Sequence, residues 1–421
     1  MFSPTTPAAQ LLGDQLFLKS VASHKDIERL AEFNAQIHGP GIAPLTRSLI
    51  LHHPDTRPEY WLFVEDRAAG RIVCSLALIP WTWRYDDVML KAGEMAIVGT
   101  AEDYRRRGLV RALDRQFKTL LHEGEFDLSH IQGIPYFYRQ FGYDYAIPLE
   151  GGWRLALDQI PGALGSGFQF RRATAGDLPH LMRLFDEAAA ALDISATRSE
   201  AVWRYLLEHN PQTETAREYW IVEDADATLI GYWCIELRGF GEGLNVCETS
   251  TLSQAAGVAL FPFLKQLAAE RNKRYIRLNL PANTTLIDIA RAWGGQDVGT
   301  YAWQIHIPDI PRLLRRLAPV FERRLAASPF ADLTQDVVLN LYRKAITLKF
   351  SEGKLIAVEN SAPHQGSEIQ IPPELIAPLA LGYRSREELA QAHHDLSIWS
   401  QSRYLVDVLF PKARSFIYTI Y

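Results

Sequence analysis

Met95-Ala96-Ile97-Val98-Gly99-Thr100, followed by Tyr104-Arg105-Arg106-Arg107-Gly108-Leu109-Val110, is the stretch whose reading decides the fold. A short apolar run breaks at Gly99-Thr100, and an arginine-rich loop follows. Leu109, Ala112, Leu113, Phe117, Leu120 and Leu121 then recur at the spacing of one helix face. The segment reads as strand, loop and helix. Its loop sets three arginines and Gly108 at the helix N-terminus, where first-turn N–H groups have no acceptor and the helix dipole is positive. Such a place binds phosphate, and a glycine lets a ligand approach the backbone closely. The loop is not a P-loop, because Gly-Lys-Ser/Thr is missing, and its one glycine is not the three-glycine dinucleotide fingerprint. Read alone, an arginine run opening a helix is more often a solvated end.

The residues that follow give the loop a context. Asp127-Leu128-Ser129-His130-Ile131 reads as the next strand, and Pro135-Tyr136-Phe137-Tyr138-Arg139-Gln140-Phe141-Gly142-Tyr143 comes after it. Arg105, Gly108 and Val110 occupy the defined positions of Arg/Gln-x-x-Gly-x-Gly/Ala, and the chain here resembles the acyl-CoA loop of the GCN5-related N-acetyltransferase (GNAT) superfamily. Val110 departs from the small residue usual at the last position. The Tyr-x-x-Phe-Gly-Tyr segment resembles, more narrowly, the Eis (enhanced intracellular survival) type of acetyltransferase. That resemblance implies an α+β chain of tandem GNAT-like domains, with mixed central sheets flanked by helices, followed by a sterol-carrier-protein-like α+β domain. The expected bounds are 15–160 for the catalytic domain, 168–308 for a degenerate copy and 309–421 for the third.

Composition bounds the reading. A chain of 421 residues has room for two to four domains. The formal charge of −5 carries no nucleic-acid signature. Cys74, Cys234 and Cys247 are far apart in sequence and odd in number, so buried free thiols are expected in place of disulfides or a metal site. No leader pattern and no membrane-length apolar run is present. A cytoplasmic protein is expected, with no membrane partner.

Upstream, residues 1 to about 14 are rich in Pro, Thr and Ala and read as frayed. Phe17-Leu18-Lys19 starts a strand, and Ser23 caps a helix carrying Ile27, Leu30 and Phe33. Tyr60 to Val64 and Arg71 to Pro80 pair, with Trp81 and Trp83 alternating outward from the end. Downstream the pattern repeats. Phe168 to Leu178 echoes Phe17 to Ile27, and Tyr219-Trp220-Ile221-Val222-Glu223-Asp224 echoes Tyr60 to Asp66. The copy has no arginine at its loop, Leu252 to Gly257, so one CoA site per chain is expected. Pro161 to Gly167 reads as the linker. Asp309 to Leu325 reads as one Leu/Arg helix, solvated or between domains. Ala345 to Phe350, Leu355 to Val358 and the helix Ser385 to His393 belong to the third part. His393-His394-Asp395 has no partner spacing for a metal.

The resemblance assigns roles. Backbone groups of Ile97, Val98 and Gly99 would pair with the pantetheine arm of acetyl-CoA. Arg105, Arg106, Arg107, Gly108, Leu109 and Val110 would hold its pyrophosphate, and Gly133 and Ile134 would flank it where two strands separate. Tyr138 matches the general acid of Eis-type enzymes, and a phenol suits protonation of a departing thiolate. Its bland alternative is a packed aromatic among Tyr136, Phe137, Phe141 and Tyr143. The base would be the carboxylate of the final residue, Tyr421, with its phenol idle. The apolar ending Phe416 to Tyr421 suggests docking. Glu94 or His130 could take the base's place. Glu32, Trp81 and Trp83 are candidates for the acceptor pocket. The implied reaction is acetyl transfer to a primary amine of a small molecule or peptide lysine, by a homo-oligomer, with a hexamer as the form suggested. A non-catalytic acyl-CoA sensor or lipid-binding protein is the alternative.

Overall fold

The computed structural model of the chain describes residues 9–162, 167–238, 241–363 and 366–421. Residues 1–8 of the expected frayed segment and 163–166 of the expected linker lie outside the described residues. Three antiparallel strands, Trp61–Asp66, Arg71–Tyr85 and Val88–Thr100, follow the helices His24–His38 and Ile42–His52. The Leu109–Glu123 helix then returns the chain to Leu128–Ile131, which lies parallel to Val88–Thr100. The second half runs the same way. The helices Leu178–Ala190 and Glu200–Glu208 precede an antiparallel meander, Arg217–Glu223, Leu229–Glu236 and Gly243–Thr249. The Gln254–Glu270 helix then leads to Tyr275–Leu278, parallel to Gly243–Thr249.

The final strands of the two halves are interleaved. Gln296–His306, from the second half, pairs with Leu128–Ile131 of the first. Asp144–Ala156, from the first, pairs with Tyr275–Leu278 of the second and with Gln296–His306. One sheet therefore runs through both halves. Glycines permit the crossing: a Cβ on Gly151 would stand 1.8 Å from the Gly299 carbonyl oxygen, with φ at +140°.

The third part packs a sheet ordered Lys354–Ser361, Ala345–Ser351, Gln335–Asn340, Ile369–Gln370, Ser397–Ile398 against short helices. Its tail then leaves it. Ser415–Phe416 pairs in parallel with Ile194–Ser195, which also pairs with the end of the Arg71–Tyr85 strand. Arg414 clamps Asp193 at the same place, Nη2 to Oδ1 2.9 Å. The tail is thus inserted between the halves, and its apolar side chains Phe416, Ile417, Tyr418 and Ile420 join the main core.

Several local expectations need correction. Gln10–Gly13 is a strand paired with Leu16–Leu18, closed by Asp14 and Gln15 at positive φ, as a two-residue hairpin requires. Trp81 and Trp83 point inward and are buried, because the tail and the second half cover that face of the sheet. The Leu/Arg helix is two helices, Ile310–Arg316 and Ala318–Ala326, broken just before Pro319. A proline ring clashes with the carbonyl four residues back. Their arginines bind the first half: Arg323 grips Asp87 at 2.5 and 3.0 Å, and Arg324 donates to Asp86 Oδ2 at 3.4 Å and Tyr85 Oη at 3.3 Å. His393 caps its helix's end, so the two histidines share no helix face. Among the described residues no group of His, Cys, Asp and Glu could hold a metal. All three thiols are free and buried, yet Cys234 and Cys247 meet across neighbouring strands with sulfurs 3.9 Å apart.

Candidate active site

Two residues, Ile97 and Val98, stand where the facing strand has only Leu76, because Gly99 opposes Ser75 and Ala96 opposes Ala77. This is a β-bulge, with Ile97 at φ +47°. It turns backbone groups out of the ladder at the half-buried Ile97 and Val98. Val88–Thr100 pairs with Leu128–Ile131 only as far as Glu94 and His130. Beyond that pair the two strands are no longer bonded to each other, and the bulge follows on the Val88–Thr100 side.

The arginine loop lies beyond the bulge. Gly108 caps the Leu109–Glu123 helix at φ +75°, and no side chain satisfies the first-turn N–H groups. A Cβ there would meet nothing within 4 Å, so backbone conformation, and not crowding, demands the glycine. Arg105, Arg106 and Arg107 are all exposed. Arg107 stacks over Tyr104 at 4.6 Å and Arg71 at 5.1 Å, while Asp103 pairs with Arg71. Leu109 is buried and Val110 half-buried on the helix's first turn. First-turn N–H groups, a helix dipole and three exposed guanidinium groups converge here, which is what a pyrophosphate needs.

Past the end of Leu128–Ile131, Gln304 Nε2 and Tyr301 Oη donate to the Gly133 carbonyl at 2.9 and 2.7 Å. The Tyr138 ring occupies the space a side chain at Gly133 would need, 2.2 Å from where its Cβ would stand. Ile134 is exposed. Tyr138 itself is 6% exposed, edge-on to Phe137 and Tyr143, and burial pushes its phenol up to about 12. It is therefore a neutral phenol near pH 7.

Glu94 is 5% exposed. Burial raises its carboxyl to about 7, against two hydrogen bonds that favour the charged form. Trp81 Nε1 and Tyr421 Oη both donate to its Oε2, at 3.0 and 2.8 Å. Tyr421, expected here for its carboxylate with the phenol idle, meets Glu94 through that phenol. One of its main-chain oxygens accepts from Thr419 Oγ1 at 2.6 Å. His130 neighbours Glu94 but is ringed by Trp81, Trp83 and Trp303 at 4.8–5.0 Å between centroids. Neither of its nitrogens has a hydrogen-bond partner, and burial lowers its imidazole to about 3. It is a neutral, enclosed ring, ill suited to take a proton. Glu32 is exposed on its helix, away from this buried aromatic group.

Sequence reasoning missed Trp303, Gln304 and Tyr301, which come from the second half's last strand, and Thr419. Only the strand interleaving brings them here, and no local signal announces it.

Residues 53–146, which include the bulged strand and the arginine loop, match the family model described as an acetyltransferase (GNAT) domain. The chain is an acetyltransferase carrying that domain. It is similar over 96% of its length to 99% of a GCN5-related N-acetyltransferase from Anabaena variabilis, with 16% identity and a TM-score of 0.70. Eis1 from Mycobacterium abscessus superimposes with a TM-score of 0.62 at 15% identity, covering 95% of this chain and 98% of that one. N-myristoyltransferase from Saccharomyces cerevisiae, in a structure with bound myristoyl-CoA, covers 73% of this chain and 81% of its own at 11% identity, with a TM-score of 0.52. These likenesses speak for the fold alone. No curated protein matches the sequence.

Proposed function

We propose that the chain is an acetyl-CoA-dependent N-acetyltransferase of Eis-like layout: a catalytic GNAT domain, a degenerate copy without its own CoA loop, and a sterol-carrier-like third domain. Its acceptor is a primary amine of a small molecule or a peptide lysine, and it works as a homo-oligomer. The observation that carries this reading is Glu94, a buried carboxyl raised to about 7 at the last pair before the strands separate, next to the bulge. A general base is most effective when its pKa lies near the working pH.

In this reading the arginine loop and the first-turn N–H groups hold the pyrophosphate of acetyl-CoA. The bulge at Ile97, Val98 and Gly99 takes the pantetheine arm, and its turned-out N–H groups stabilise the oxyanion formed at the thioester carbonyl. Glu94 accepts the ammonium proton of the acceptor, directly or through one water, and the freed amine attacks the carbonyl carbon. The tetrahedral intermediate collapses by breaking the carbon–sulfur bond, Tyr138 gives its proton to the leaving thiolate, and the second proton shed by the attacking nitrogen restores the phenol. The products are the acetamide, CoA thiol and one proton. The carboxylate of Tyr421 is the second candidate base, although the contact its segment makes with Glu94 is by the phenol.

The test is acetyl transfer from acetyl-CoA to a panel of primary amines, comprising polyamines, arylalkylamines and lysine peptides. Measurable turnover that falls steeply in Glu94→Gln, with the residual rate no longer showing an acidic limb, supports the reading. Tight acetyl-CoA binding with no transfer to any amine would favour the acyl-CoA sensor instead.

A further inference from the structure

The second half buries an ion pair that the reaction just described does not use. Arg198 and Glu248 have fully buried side chains, with Nη1 and Nη2 donating to the two carboxylate oxygens at 2.8 and 2.6 Å. Phe185 and Trp203 enclose the guanidinium, whose carbon lies 4.4 and 4.6 Å from their ring centroids. Tyr232 Oη donates to Glu248 Oε1 at 2.7 Å. A buried pair of this kind is weak evidence for stability, since apolar residues of similar volume often serve as well. Orientation is the better-attested use. Here Arg198 directs its third guanidinium nitrogen, Nε, at the Thr419 carbonyl, 2.8 Å away.

From Thr419 the contacts continue into the first half. Its Oγ1 donates to a main-chain oxygen of Tyr421 at 2.6 Å, and the Tyr421 phenol donates to Glu94 at 2.8 Å. The Ser415–Phe416 pairing and the Arg414–Asp193 clamp hold the tail's base, Tyr418 and Ile420 pack into the core, and His53 lies beside the Ile420 main chain; Arg198 and Thr419 supply the hydrogen bonds that run on to Tyr421. We propose that Arg198, locked by Glu248, is a positioning residue: it fixes the Thr419–Tyr421 segment so that the Tyr421 phenol meets Glu94. The degenerate half thereby serves the active site of the other half. This rests on the reading of Glu94 as the base.

The charged and titratable surroundings are few. Facing Glu94 are Tyr421 from the tail and His130 from the next strand, with Tyr205 behind Tyr421 and His53 edge-on to Tyr205. Around Arg198 stand Glu248, Tyr219, Tyr232, Tyr418 and Asp186. Nothing but Tyr421 links the two groups by hydrogen bonds among the described residues.

The experiment is the pH dependence of kcat/KM in the full chain, with acetyl-CoA and the best acceptor of the amine panel. Arg198→Lys keeps the charge beside Glu248 and loses the fixed Nε–H. Its acidic limb should move up by about one pH unit, with KM for acetyl-CoA within about twofold of wild type. Joined to Tyr421→Phe, it should add nothing to that variant's own displacement. A purely structural role would lower the melting temperature, leave the limb in place and add independently to Tyr421→Phe; that result overturns the proposal. Should the lysine variant not fold, Thr419→Val cuts the next link at a half-buried position and should move the limb the same way. An unmoved limb there overturns the proposal equally. Glu94→Gln separates the two readings. If it keeps the limb, the base assignment has failed. If it abolishes the limb while Arg198→Lys and Thr419→Val leave it unmoved, positioning alone has failed.

Discussion

Tyr421→Phe isolates one hydrogen bond at the proposed base. The phenol donates to the Oε2 of a carboxylate that is 5% exposed, at 2.8 Å. A hydrogen bond to a buried charged group contributes about 1.5–3 kcal/mol. The bond favours the ionised carboxylate, so its loss raises the pKa. At 1.36 kcal/mol per unit the displacement is about 1–2 units, from about 7 toward about 8–9. Trp81 still donates to the same oxygen, which favours the lower end of that range. Near pH 7 the variant should therefore lose roughly 5- to 50-fold in kcat/KM and recover above pH 9. The assay is kcat/KM against pH for both proteins with one acceptor. The ratio of the two profiles cancels the acceptor's own ionisation. A limb that stays near 7, or moves to lower pH, would refute the idea that this phenol tunes Glu94. Full activity at every pH would instead match a phenol that only packs.

Other consequences can be checked directly. Arg105→Ala removes one guanidinium from the loop, and Gly108→Asp forces a side chain onto a residue at φ +75° and sets a carboxylate against phosphate; calorimetry should show both weakening acetyl-CoA, by about tenfold or more for the aspartate. Tyr138→Phe should cut turnover by about 10²–10⁴ while acetyl-CoA affinity holds, because the ring packs on but its proton is gone. A calorimetric titration should give one CoA per chain, since helix Gln254–Glu270 opens on a Ser253 cap with no arginine beside it. Glu94 also predicts a stability profile. Its carboxyl rises from about 4.3 unfolded to about 7 folded, so the folded chain holds the proton more tightly, and stability is full below pH 4 and lost as pH passes 7, by about 3–4 kcal/mol. Glu94→Gln should therefore raise the urea midpoint at pH 8 and leave it nearly unchanged at pH 4.5.

What sequence could show follows from what is local. The Met95–Leu121 stretch announced its strand, loop and helix because apolar period, glycine and arginines all lie within thirty residues of one another. The helix caps at Ser23 and Ser385 were legible for the same reason, each a side chain serving an N–H three residues on. The repeat was legible because Tyr219-Trp220 copies Tyr60-Trp61 almost letter for letter. Trp81 and Trp83 misled: alternation along a strand names two faces but cannot say which is covered, and here the covering comes from residues more than 100 positions away.

The active-site half of the problem was harder for a related reason. Glu94 was one candidate among three, and nothing within its own strand distinguishes a buried carboxyl from an exposed one. What raises its pKa is a roof assembled from Trp303 and the tail, delivered by strand interleaving and by the passage of 411–421 out of the third part. The same assembly disqualifies His130. An imidazole beside a carboxylate looks like an acid–base pair on paper, but three indole rings leave it no partner and hold it neutral. If His130 nonetheless carried the proton, His130→Phe would abolish the acidic limb. In the arrangement described here the substitution keeps the aromatic packing, and Glu94 should still set the limb.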